Sequence, residues 1–114
     1  MKIRKGFVSN SSSESFICGR WNDKEYTPEE ATAILQKMLD FYNDMEEQSV
    51  SFDNVFEVPR IATEEDIDLL SGWDIPRNRV EGQLLINSID DNSIPYLLFG
   101  FIETKFGAER IHLG

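Results

Sequence analysis

The sequence predicts one domain of the α/β or α+β class: a single small mixed sheet of about four strands with about three helices, ending in a βαβ-like unit. Three observations lead there. The chain has 114 residues, 40% of them apolar and 28% charged, a balance that suits one modest core rather than two domains or a disordered chain. Two segments open on a threonine followed by acidic residues and then repeat apolar side chains at helical spacing. The last third reads as strand, helix, strand.

In chain order, residues 3–8 form a candidate extra strand, and "SFICG" forms a strand after a serine-rich stretch. In "YTPEEATAILQKMLDFYNDMEEQ", Thr27 suits an N-cap, Pro28 the first helical position and Glu30 the far side of a capping box. Ala31, Ile34, Leu35, Met38, Phe41, Tyr42 and Met45 follow at helical spacing, so a helix with both methionines in its core face is expected. "NVFEV" reads as a short strand stopped by Pro59. "ATEEDIDLLSGW" repeats the threonine cap at Thr63 and presents Ile67 and Leu70, with Gly72 as the stop. "GWDIPRNRVEG" carries Gly, Pro and Asn punctuation and reads as a loop. "GQLLINSI" is a buried strand with a continuous apolar run. After "DDNS", Asn92 or Ser93 caps a helix with Pro95 in its first turn, expected to bury Ile94, Leu97, Leu98, Phe101 and Ile102 and to stop at Gly107. "AERIHLG" returns as a strand that alternates Glu109, Ile111 and Leu113 with Arg110 and His112. A crossover of that length is the pattern of a βαβ unit, although spacing alone also permits an antiparallel return.

Composition narrows the function classes. Net charge is −10, distributed as +3 over residues 1–20, −12 over residues 21–76 and −1 over the remainder. The acidic middle repels a phosphate backbone, which disfavours direct nucleic-acid binding, and can meet a basic partner surface; solvating charge on two helices is the simpler explanation. No run approaches the roughly 18 apolar residues of a membrane span, and no apolar signal region follows Lys2, Arg4 and Lys5. Lys2 also replaces the glycine that myristoylation requires. One cysteine cannot form an internal disulfide, and Cys18 with His112 cannot complete a zinc site. The expectation is a reduced, cytoplasmic chain without metal or cofactor.

The stretch "GFVSNSSSESFIC" admits four readings. It can be a hydrogen-bonded turn between strands, since Ser and Asn side chains bond readily to nearby backbone. It can be an anion cradle or recognition site built from Arg4, Asn10, Ser11, Ser12, Ser13 and Ser15, although it lacks the glycine spacing and the Lys-Ser/Thr ending of a phosphate loop. It can be a modification or signal segment on a carrier domain. Finally, Ser11, Ser12 or Ser13, or Cys18, can act as a nucleophile with His112 as base and Asp90 or Asp91 as third member, in a hydrolase or transferase. No nucleophile elbow is present, and a strand histidine or a Cys18 between Ile17 and Gly19 has a plain structural explanation. Asp90, Asp91 and Asn92 suit a helix cap better than a calcium loop. Trp21 and Trp73 both sit beside loops.

The opening "MKIRKGFVSNSSSESFIC" resembles an N-terminal block, Gly-Phe-Val-Ser-Asn-Ser-Ser-Ser-x-Ser-Phe after basic residues, that heads many small uncharacterised proteins of bacteriophages and bacteria. The ending "DDNSIPYLLFGFIETKFGAERIHLG" is similar to that of some of them. The resemblance implies a phage or prophage source and a host-cell cytoplasmic setting. It implies no cofactor and no catalytic residue. Glu14 interrupts the serine run, so not every hydroxyl there is required. With the acidic middle, it leads to the expectation of a small non-enzymatic protein that acts by protein–protein contact, inhibiting a host nucleic-acid-binding or defence protein.

Overall fold

The computed structural model describes residues 14–22, 24–89 and 96–113. Among these, the elements run β1 (Glu14–Ile17), α1 (Pro28–Glu46), α2 (Phe52–Val55), β2 (Arg60–Ile61), α3 (Glu64–Ser71), α4 (Arg77–Val80), β3 (Leu84–Ser88), α5 (Tyr96–Phe106) and β4 (Glu109–His112). The strands make one sheet in the order β2-β3-β1-β4, and every neighbouring pair is antiparallel. Because β3 and β4 both oppose β1, they run parallel to each other with β1 between them. The βαβ-like unit is therefore present in split form. The expected strand at residues 3–8 lies outside the described residues.

Side chains alternate across a strand, and directly opposed residues share a face. Phe16, Cys18, Leu84 and Ile86 point to one face and pack under α1 and α5 with Leu35, Leu39, Leu98, Phe99, Ile102 and Phe106. Ile17 and Leu85 point to the other and meet Ile67, Leu70 and Val80 from α3 and α4. The sheet is thus the middle of three layers, which is why β1 and β3 are buried at every position. The apolar run in β3 follows from this. The edge strand β4 keeps the expected alternation of half-buried and exposed residues.

Local signals position the helices. Thr27 accepts from Glu30 N at 3.1 Å, while Glu30 Oε1 accepts from Thr27 N at 2.9 Å, closing the capping box of α1. Thr63 and Asp66 do the same for α3. Gly107 ends α5 at φ +55°, and Trp21 N donates to its carbonyl at 2.9 Å, tying the turn after β1 to the α5–β4 turn.

Four local expectations are corrected. "NVFEV" is not a strand: Val55 ends the single turn α2, Phe56 makes an isolated bridge to Ser88, and the paired strand begins after Pro59. Pro59 has no N–H to give a ladder, so pairing resumes only beyond it. The loop at residues 72–82 contains the turn α4. The apolar face of α5 is rotated: Phe99 and Phe106 are buried with Leu98 and Ile102, whereas Leu97 and Phe101 are exposed. Phe41 and Met45 of α1 are likewise 58% and 46% exposed rather than core. Among the described residues, no helix is long and apolar enough to cross a membrane.

Candidate functional site

Of the sequence-derived site residues, Arg4, Asn10, Ser11, Ser12 and Ser13 lie outside the described residues, as do Asp90 and Asp91. Ser15 is described. It sits inside β1 rather than in a turn, is 2% exposed, and donates from Oγ to Asn87 Oδ1 at 2.7 Å. Both neighbours of β1 are in place along Glu14–Ile17, so the end of the serine stretch is a central strand.

Two polar clusters flank that end of β1, one on each face. The Ser15 face carries a chain of hydrogen bonds. Asn87 Nδ2 reaches Glu57 Oε1 at 3.4 Å, and Arg60 Nη1 donates to the same oxygen at 2.9 Å. Arg60 then clamps Asp66, with Nε to Oδ2 at 3.0 Å and Nη2 to Oδ1 at 2.6 Å. Asp66 Oδ2 also accepts from Thr63 N and Oγ1. Burial opposes the Asp66 charge, yet the Arg60 guanidinium and the Thr63 N–H outweigh it and hold the carboxyl below its ordinary 3.8. The hydrogen bond to Asp66 pushes Arg60 up, against the effect of burial. Arg60 commits Nε, Nη1 and Nη2, and Asp66 both carboxyl oxygens, to this clamp, so its chemistry is structural.

The opposite face differs. Glu14 is opposite Ser88 on one side and His112 on the other. Its backbone N–H donates to Ser88 Oγ at 3.0 Å. Its side chain is 3% exposed, and Oε2 contacts His112 Nδ1, whose ring is 56% exposed. Oε1 is buried with no hydrogen-bond partner among the described residues; its nearest cation is Arg110 Nε at 3.7 Å. Arg110 also reaches Glu103 Oε2 at 3.9 Å and stacks over the Phe99 ring at 5.2 Å. A buried carboxylate on Nδ1 orients the imidazole, as the orienting acid of a catalytic histidine does.

Cys18 is not brought to this histidine. It lies four residues beyond Glu14, about 13 Å along a strand. Burial pushes its thiol from 9.0 up to about 12, and among the described residues the one hydrogen-bond partner of Sγ is Phe16 O at 4.0 Å. That is the setting of a small core residue rather than a nucleophile. Sequence reasoning missed Glu14 as the partner of His112. A single charge inside a serine run carries no sign of burial until the register with β4 is known.

The acidic middle has a definite surface. All five described arginines, Arg20, Arg60, Arg77, Arg79 and Arg110, are in ion pairs. On α1, in contrast, Glu29, Glu30, Asp40, Asp44 and Glu46 make no ion pair among the described residues, although Lys37 stands one turn before Asp40 and Phe41 on the same helix. Phe41 and Met45 stand one turn apart beside Asp40 and Asp44 on that outer face. Among the described residues, no three His, Cys, Asp or Glu side chains gather as metal ligands would. Comparison with protein-family models, with curated proteins and with solved structures finds no match for this chain, so its residues and geometry carry the functional reading.

Proposed function

We propose that this chain is a phage-associated protein that acts by protein–protein contact, setting the outer face of α1 against a basic surface of a host nucleic-acid-binding or defence protein. The observation that carries the reading is the carboxylate excess of α1, five acidic residues from Glu29 to Glu46 against the single cation Lys37, with Phe41 and Met45 exposed among them. Carboxylates steer and orient a basic partner, while exposed aromatic and methionine side chains supply the buried anchor that charge alone does not. The likeness of the opening block to phage and bacterial proteins supports the choice of host partner. Affinity capture from host lysate, with the wild-type chain beside an Asp40→Lys/Asp44→Lys/Phe41→Ala variant, tests the proposal. These side chains are exposed, so the variant keeps its fold, checked by circular dichroism. A stoichiometric basic protein, retained at low salt, released by high salt and lost with the variant, is expected. A partner that the variant retains, or no partner, sinks it.

One observation favours a second reading, a hydrolase or transferase in which His112 works with an N-terminal serine. Glu14 supplies the orienting carboxylate that the sequence had sought in Asp90 or Asp91. It also stands next to Ser13 in the sequence. This reading expects fluorophosphonate labelling of Ser11, Ser12 or Ser13 that His112→Ala abolishes. An unlabelled native protein removes it.

A further inference from the structure

We infer that the cavity between the turn after β1 and the turn α4 binds a phosphate-sized oxyanion. The cavity is about 200 Å³, and its polar lining comes from Arg20, Asn78, Arg79 and Gln83. That is the volume of roughly six or seven water molecules, enough for a phosphate group with residual solvent. Gly19 admits the close packing at its wall: it holds φ +82°, and Gln83 Oε1 lies 3.3 Å from where a Cβ would stand.

Charge and donor capacity decide the ligand class. Arg79 contacts Glu109 Oε1, and Arg20 Nε lies 3.9 Å from the same oxygen. Two guanidiniums therefore share one carboxylate, leaving an excess positive charge in a chain whose net charge is −10. The side-chain amides of Asn78 and Gln83 make no hydrogen bond among the described residues. The donors thus come from the turn after β1, from α4 and from the residue before β3. A tetrahedral oxyanion presents its acceptors in three dimensions and can meet donors arriving from three chain segments, whereas a carboxylate presents its acceptors in one plane. The overall negative charge works against long-range attraction, so binding rests on these local donors and shows little electrostatic steering. This site is separate from the acidic face of α1 and independent of the partner proposed for it.

The test uses the full chain with inorganic phosphate as probe. The ³¹P resonance is followed on addition of protein at constant ionic strength, with acetate as competitor and Arg79→Gln, Arg20→Gln and Arg77→Gln as variants. Arg77 lies on the same turn but is paired with Glu64 at 2.5 Å and does not line the cavity, so it serves as control. The expected result is broadening by wild type and Arg77→Gln, with about tenfold or weaker binding in Arg79→Gln, the loss of one charge-assisted contact. Acetate should displace little. Should Arg79→Gln unfold, Arg20→Gln, whose side chain is the more exposed of the two, gives the same reading. No broadening by the wild type, or broadening by the Arg20 and Arg79 variants equal to that by the wild type, overturns the inference, and efficient displacement by acetate overturns the phosphate assignment.

Discussion

Cys18 shows how burial decides the chemistry of a residue. Its thiol, held near 12 beneath α1 and α5, stays protonated at neutral pH. Iodoacetamide at pH 8 should leave the native protein unlabelled and alkylate it stoichiometrically in denaturant; rapid native labelling would contradict the burial. Gly107 makes a sharper demand. It holds φ +55°, and a Cβ there would fall 2.5 Å from Asn22 Nδ2. Gly107→Ala is expected to cost about 1–3 kcal/mol, combining the left-handed backbone with the displaced Asn22. Adding Asn22→Ala should recover part of that loss in a urea titration, because it removes the clash and leaves the backbone strain. Gly107 could be read from sequence as a helix stop. Asn22 could not, since its role arises only where the turn after β1 crosses the end of α5.

At the scale of elements, both threonine-capped helices were legible because a capping box is local chemistry, complete within four residues. Thr27→Ala should lower stability by about 1 kcal/mol. Asp66 does more than cap, since it also takes both arms of Arg60 from β2. Asp66→Ala should therefore cost about 2–3 kcal/mol, the cap plus charge-assisted bonds. Its pH dependence has a definite sign. The folded carboxyl titrates below its ordinary 3.8, so the unfolded chain takes up this proton first as pH falls. The contribution is complete above the ordinary value and is lost as pH drops through it towards the lower folded value. The urea midpoint of the wild type should fall across that window, and Asp66→Asn should show a shallower acid limb; equal slopes would mean that the clamp is not coupled to folding. Periodicity failed in α5 because residues 96–102 are apolar or glycine throughout, and polar residues come only at Glu103, Thr104 and Lys105. With so little contrast around the helix, packing against Phe16 selected Phe99 over Leu97 and Phe101.

At the scale of the whole molecule, the central strand comes from one end of the chain and its neighbours from the other. Residues 14–17 pair with residues 84–88 and 109–112, so the sheet closes only when the ends meet. Such long loops carry a closure entropy that must be met before any ladder bond forms, which places folding in the slow, non-local regime. A fragment ending at residue 82 lacks both neighbours of β1 and should show no cooperative unfolding transition, read by circular dichroism in urea. A folded fragment would mean that α1, α3 and the loops form a core without the sheet.

By itself the sequence determined the fold class, three principal helices, the buried strand β3, the edge alternation of β4 and the acidic character of the middle, because each is local patterning or composition. Only the tertiary structure decided that Glu14 and Ser15 are central strand residues, that Glu14 meets His112, and that Cys18 does not. It also decided that Arg20, Arg79 and Gln83 converge on one cavity, and that the α1 carboxylates make no ion pair among the described residues while the described arginines are paired. The reason is register. Which residues oppose one another across a sheet depends on the simultaneous fit of both its faces, and a shift of one residue would exchange those faces entirely.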